Sequence, residues 1–474
     1  MAAQHDVTQS WRLGALELAA AYAAGTLTPL AVVEALGERI ARLNPKLNAL
    51  ITINPTARED AAAATARWAE GNPLSPLDGV PLTVKDHLNV EGLATTWGNR
   101  ALAGRIAEED ELAVARCRAA GLVILGKTNV PEFTLEGYTD NALFGVTRNP
   151  WNPALTPGGS SGGAVAAVAA GLCPLALGTD GGGSIRRPAS HTGLVGLKPS
   201  IGAVARAGSL PQVMLDFEVV GPLARTAADA EALYRVIEGP DRRDQGSLWA
   251  RPATSAGPLR ILYVPRFGEQ PLDPEIAESV ERAVAVLEGL GHRVTRGALP
   301  FGLEAVDRFW PMMGAAAVAA IFAALPQAEP VAAERFRALA AQGRQLPAAD
   351  YLGGWEGIRR FRERVSRAFE AVDIIITPSA AALPWPAAQA YPPEIAGQAV
   401  GPRGHAIYTG WVNACGHPAI NLPAPPSAGG LPIGFQLVGA FGQDAQLLQL
   451  AADYERANGR GWRWPALVEQ TTTG

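Results

Sequence analysis

An α/β fold, with one covered sheet assembled from both halves of the chain, is what the sequence predicts. Two observations point there. From Leu77 to about Ala230, short apolar runs alternate with helical pieces and Gly/Pro turns; the runs include Gly79-Val80-Pro81-Leu82-Thr83-Val84, Leu122 to Leu125 and Pro174 to Leu177. That is the pattern of strands buried on both faces. Strand signals then return late, at Asp373 to Pro378 and Ile433 to Val438. The second half therefore adds strands to the same sheet.

Taken in order, residues 1–70 read as a helical segment, with apolar spacing at Leu13, Leu16, Leu18 and Tyr22 and again at Val32, Val33, Leu36, Ile40 and Leu43. Residues 71–235 form the strand-rich core. Residues 236–474 complete the sheet: a polar, turn-rich crossover from about Gly239 to Gly257, a strand in Leu259 to Phe267, a helix from Glu275 to Leu290 and a strand from His292 to Leu299. Residues 302–372 are mostly helical, with Ala-rich and Arg-rich faces. The three parts are expected to make a single large domain.

Composition narrows the function. Hydrophobic residues make up 48% of the chain and charged residues 18%, which places it well inside the globular class. The net charge is −5 and no Lys/Arg stripe interrupts it, so no nucleic-acid footprint is expected. Cys117, Cys173 and Cys415 are far apart among apolar neighbours, the pattern of buried free thiols in a reducing, cytoplasmic setting. The N-terminus lacks a basic n-region and holds Glu17 in its apolar part, so it reads as an amphipathic helix. No run of about 18 uninterrupted apolar residues occurs, and no membrane span is expected.

Several motifs compete for the chemistry. Residues 121–128, GLVILGKT, match the phosphate-loop pattern letter for letter. Their middle residues favour a buried strand, and Pro131 postpones any helix, so the flexible anion-binding turn that the pattern requires is missing. The six histidines (His5, His87, His191, His292, His405 and His417) show no metal spacing and no nucleophile elbow, and structural roles are expected for all of them. No metal or cofactor is expected.

Lys85 ends the apolar run Val80 to Val84. Burial there favours a neutral amine, which can act as a base. The adjacent Asp86 points to the opposite face of a strand and is a poor partner for it. The stretch Thr179-Asp180-Gly181-Gly182-Gly183-Ser184 sets a serine after three glycines. Successive backbone N–H groups can converge there as an anion nest, and acyl transfer needs such donors beside a nucleophile. Gly158-Gly159-Ser160-Ser161-Gly162-Gly163 brings a second hydroxyl pair before the small-residue run Ala164 to Ala170.

Together these segments resemble the amidase signature family: GVPLTVKD, GKTNVPEF, FGVTRNPWN, PGGSSGG, GTDGGGSIRRPA, GLVGLKPS and, near the end, NACGHPAINLP and GLPIGFQLVG. The resemblance implies a central mixed, twisted β-sheet with helices on both faces. It also implies that Ser184 is the nucleophile, Lys85 the base and Ser160, preceded by a cis peptide bond after Gly159, the bridge between them. The amides of Gly181, Gly182, Gly183 and Ser184 are expected to hold the oxyanion, with Ser161 and Asp180 in support. Gly181 stands where many family members carry Thr or Ile, which loosens the expected nest. Thr134, Leu135, Gly137 and Tyr138 fall where the family lines its acyl pocket, and Trp97 is a bulky candidate beside them.

An apolar, partly aromatic pocket suggests hydrophobic or aryl amides, anilides, or carbamates (a urethanase activity). The expected partner is that small molecule, and the expected assembly is a monomer or homodimer. Two other readings stand beside this one. The first is the glutaminase component of the tRNA-dependent amidotransferase, against which the segment from Tyr351 to Phe369 looks more like a stand-alone amidase. The second is an inactive scaffold that only binds, which an intact Lys85, Ser160 and Ser184 disfavour.

Overall fold

The computed structural model describes residues 6–208, 213–252, 257–459 and 461–469. Its centre is a mixed sheet of 11 strands. In chain order these are β1 (Leu50–Ile53), β2 (Pro81–Lys85), β3 (Val123–Thr128), β4 (Leu175–Asp180), β5 (Val195–Lys198), β6 (Val219–Ala224), β7 (Arg260–Tyr263), β8 (Arg293–Arg296), β9 (Ile374–Pro378), β10 (Ala419–Ala424) and β11 (Ile433–Gly439). Across the sheet they run β1-β3-β2-β4-β6-β5-β10-β11-β9-β7-β8. The interior strands β2, β4 and β9 are buried at every residue, as expected where helices cover both faces. The edge strand β8 is exposed at Arg293, Thr295 and Arg296, and charge at an edge discourages further pairing.

Strand β2 lies parallel to both β3 and β4, and β4 then pairs antiparallel with β6. This places the C-terminal ends of β2 and β4 side by side, the usual position for a site on an open α/β sheet. The helix Gly162–Ala169, buried throughout, begins directly after Ser161. A second apolar cluster covers this end of the sheet. It packs Phe309, Phe322, Phe336 and Phe361, from the helices Glu304–Ala324, Glu334–Arg344 and Ala348–Ala368, against Phe133, Phe217 and Trp411. The helix Glu304–Ala324 is long and apolar enough to cross a membrane by length and composition, and in this fold it buries Phe309, Val318, Ile321 and Phe322.

The mixed sheet and its helical cover agree with the expected architecture. The segment 1–70 is not wholly helical, because Leu50–Ile53 pairs antiparallel with β3. Strands β5, β6 and β10 also carry no strand signal strong enough to read from sequence alone: VGLK, VVGPLA and AINLPA hold glycines or prolines that locally suggest turns. Long-range pairing overrides that preference. Residues Val123 to Thr128 of GLVILGKT are the buried strand β3, and Lys127 pairs with Asp86 at 3.1 Å. The letters of a phosphate loop therefore occur without its turn.

Candidate active site

Lys85 closes β2 and is fully buried. Its Nζ lies 2.8 Å from Ser160 Oγ, 2.8 Å from Thr179 Oγ1 and 3.2 Å from the Thr179 carbonyl oxygen. It forms no ion pair among the described residues, since Asp86 turns to the other face to meet Lys127 and Thr96. Burial lowers the Lys85 pKa to about 7, although Glu218 and Asp180 pull it upward. A group in this state is largely neutral just above pH 7 and can accept a proton.

Ser160 follows a cis peptide bond from Gly159. A Cβ on Gly159 would stand 2.5 Å from the Tyr138 carbonyl oxygen, so the close passage of these two segments requires glycine. Ser161 Oγ donates to the Thr179 carbonyl at 3.2 Å, and its N–H donates to the Ser184 carbonyl. It thus braces both serine loops directly.

Ser184 is nearly buried, borders a cavity of about 460 Å³ together with Ser160, and its Oγ makes no hydrogen bond among the described residues. Asp180 organises the loop before it. Its carboxylate accepts from the N–H of Gly183 (2.6 Å) and Ile185 (3.1 Å) and from the Arg186 guanidinium (3.0 Å twice). Burial alone would push this carboxyl up, yet Arg186 and Asn413 hold it well below the usual range. The Gly183 amide is thereby occupied. Of the other three amides expected to face an oxyanion, those of Gly181, Gly182 and Ser184, none donates a hydrogen bond among the described residues. Gly183 contributes through its backbone shape instead. Its φ is +112° and an added Cβ would overlap the Thr409 hydroxyl, so the turn that delivers Ser184 depends on it.

Thr134, Leu135 and Gly137 line the cavity. Trp97 and Tyr138 do not. Trp97 is fully buried, with φ +50°, and its indole donates to the His87 carbonyl at 3.2 Å, so it packs behind the lysine. Tyr138 contributes its backbone against Gly159. Much of the remaining wall escaped sequence reasoning: the apolar Met214, Trp310, Phe336 and Leu339, the charged Glu136, Glu218, Arg335 and Arg403, and His405 all border the cavity. His405, for which a structural role is expected, borders the cavity, while His5 lies outside the described residues. Arg186 braces the serine loop, whereas the buried Arg187 opens onto the cavity and forms no ion pair among the described residues. Burial lowers its pKa to about 9, which leaves it cationic at neutral pH.

A buried amine with a lowered pKa on one serine, and a second serine among backbone amides with no other partner on the wall of a cavity, are the equipment of an acyl-transfer hydrolase. The chain belongs to the amidase family, whose pattern spans residues 31–448. It is 35% identical to the A component of the glutamyl-tRNA(Gln) amidotransferase of Symbiobacterium thermophilum, over 97% of this chain and 99% of that one. It is 34% identical to an acylamidase of Rhodococcus erythropolis, over 94% of this chain and 95% of that one. The crystal structure of a bacterial aryl acylamidase superposes with a TM-score of 0.88 at 29% identity, covering 98% of this chain and 99% of that one. The chain is accordingly an amidase-type hydrolase of carbon–nitrogen bonds.

Proposed function

We propose that this enzyme hydrolyses hydrophobic or aryl amides, anilides or carbamates through an acyl-enzyme on Ser184. One observation carries the reading: Lys85 is buried without a carboxylate partner among the described residues, 2.8 Å from Ser160 Oγ, beside the cavity that Ser184 borders. Neutral Lys85 takes the Ser160 proton, Ser160 takes the Ser184 proton, and Ser184 Oγ attacks the carbonyl carbon. The free amides of Gly181, Gly182 and Ser184 receive the oxyanion, each donor being worth roughly 3–4 kcal/mol in related chemistry. The carbon–nitrogen bond then breaks as Ser160 passes a proton to the leaving nitrogen, and water, deprotonated along the same path, releases the acid and frees Ser184. The Ser184 contact to Ser160 forms as substrate binds, as catalytic hydrogen bonds commonly tighten in the complex. Leu135, Met214, Trp310, Phe336 and Leu339 on the cavity wall support an apolar or aryl substrate.

A panel of an anilide, an aryl carbamate and a small aliphatic amide tests the substrate class, and preference for the small aliphatic amide would overturn it. A fluorophosphonate probe is expected to label Ser184 in the native enzyme and not in Ser184→Ala; failure to label the native enzyme would favour the inactive scaffold. Arg187 supports a second reading, in which a substrate carboxylate occupies the cavity, as glutamine would in the glutaminase component of an amidotransferase. Glutaminase activity that appears only with partner proteins would favour it.

A further inference from the structure

We infer that His87 is a positioning residue for this reaction: its Nδ1 accepts the Thr179 hydroxyl proton and so reserves the Lys85 lone pair for Ser160. This rests on Lys85 acting as the base, as proposed above.

The placement of protons around one nitrogen decides the matter. A neutral amine has two N–H donors and one lone pair. The three groups around Lys85 Nζ are the Thr179 carbonyl, the Thr179 hydroxyl and the Ser160 hydroxyl. The carbonyl can only accept, so it takes one N–H. If Ser160 is to give up its proton, its O–H must point into the lone pair. The second N–H then goes to Thr179 Oγ1, and the Thr179 proton needs another acceptor. His87 Nδ1 stands 3.0 Å from that oxygen. Its pairing with Thr179 requires a neutral ring protonated at Nε2, and burial holds the His87 pKa down to about 3, so the ring is neutral throughout the working range.

The opposite tautomer has the opposite consequence. With the proton on Nδ1, the ring donates toward Thr179 Oγ1 or toward Glu218 Oε2, 3.4 Å away. The Thr179 hydroxyl must then turn its proton toward Lys85, occupying the lone pair that Ser160 needs. Glu218 is itself held by Arg206, whose Nη1 donates to its other oxygen at 2.5 Å, while Arg206 Nε donates to Glu111 at 2.8 Å. The cation thus offsets part of the carboxylate's pull on the ring, and burial outweighs the rest. Trp97, packed edge-on at 5.1 Å and donating to the His87 carbonyl, fixes the ring's place.

Substitution by residues that do or do not keep an acceptor at the Nδ1 position provides the test. Asparagine places its carbonyl oxygen close to Nδ1, whereas glutamine carries it one methylene farther. His87→Asn is expected to keep kcat within about fivefold of the parent, and His87→Gln to lose on the order of 100-fold in kcat with KM unchanged. Equal kcat values for the two variants, a glutamine variant more active than the asparagine one, or a loss confined to KM would overturn the proposal. A ¹⁵N-histidine NMR spectrum of the parent enzyme is expected to show His87 Nδ1 unprotonated, and a protonated Nδ1 would overturn it as well. Lys85→Ala, assayed in parallel, separates the two levels. If Lys85→Ala stays active, the relay itself fails; if it is inactive while His87→Gln keeps the parental kcat, only the role of His87 fails.

Discussion

Lowering the pH should silence this enzyme through one identifiable amine. The proposed base works only when neutral, so kcat/KM should fall as Lys85 takes up a proton. Burial moves that group from 10.5 to about 7, a bias of roughly 5 kcal/mol toward the neutral form. The expected profile is flat above about pH 7.5 and drops tenfold per pH unit below 7, reaching about a hundredth at pH 5. A limb near 7 would ordinarily suggest histidine. Here the buried histidines are excluded: burial takes His87 to about 3, His191 and His417 to about 4 and His405 well below 6.5.

The assay is kcat/KM for an anilide, together with the rate of fluorophosphonate labelling, from pH 5 to 9 at constant ionic strength. Agreement of the two curves assigns the limb to the acylation step. A limb near 9 to 10, or a profile flat across the range, refutes the reasoning, because the lysine would then be solvated or not the base. The same shift makes a prediction for folding. Between about pH 7 and 10.5 the unfolded chain holds a proton on Lys85 that the folded chain has lost, so this group's contribution to stability rises with pH over that window and is least favourable below 7.

Three further outcomes follow from the geometry. Gly183→Ala puts a side chain at φ +112° against Thr409; it should cost on the order of 1–3 kcal/mol in urea unfolding and lower kcat sharply by displacing Ser184. Trp310 borders both the 460 Å³ cavity and a neighbouring one of about 270 Å³, so Trp310→Ala should join them and raise the kcat/KM ratio of a biaryl amide over a small anilide by about tenfold, read from a substrate panel. Lys127→Met leaves Asp86 buried without its cation and should destabilise by about 3–5 kcal/mol in urea unfolding, whereas Lys85→Met should abolish activity with a much smaller change in stability.

The chemical centre was more legible in sequence than its surroundings. Lys85 stands out because a largely apolar run, Val80 to Val84, leads into it, and a cation at the end of a buried strand must be either paired or neutral. The loop before Ser184 holds fewer free donors than its three glycines suggest. Asp180 lies three residues before Gly183, and an aspartate so placed captures a nearby backbone N–H in turns of this kind; the sequence contained the signal that one amide is spent. Trp97 departs from its expected place because proximity in the chain does not fix direction: its left-handed backbone turns the indole toward the His87 carbonyl. Trp310 and Phe336 were inaccessible for another reason. Helical periodicity announces the helices Glu304–Ala324 and Glu334–Arg344, but which of their faces meets Ser184 depends on packing against Phe133 and Phe217, contacts made across long stretches of chain.

The contrast between Lys85 and Lys127 shows how little sequence separates structure from chemistry here. Both are buried lysines on adjacent parallel strands, with Val84 opposite Lys127 and Lys85 opposite Thr128. One carboxylate, Asp86, follows Lys85 directly in the chain and yet serves Lys127, because strand alternation sends neighbouring side chains to opposite faces. Were Asp86 on the Lys85 face, a charge a few ångströms away would raise that amine's pKa and keep it protonated at neutral pH. The alternation thus assigns the charge pair to the lysine that holds the sheet together. It leaves the other with hydroxyl and carbonyl oxygens at hydrogen-bond distance and its nearest carboxylates, Glu218 and Asp180, farther off, and such neighbours suit a neutral base.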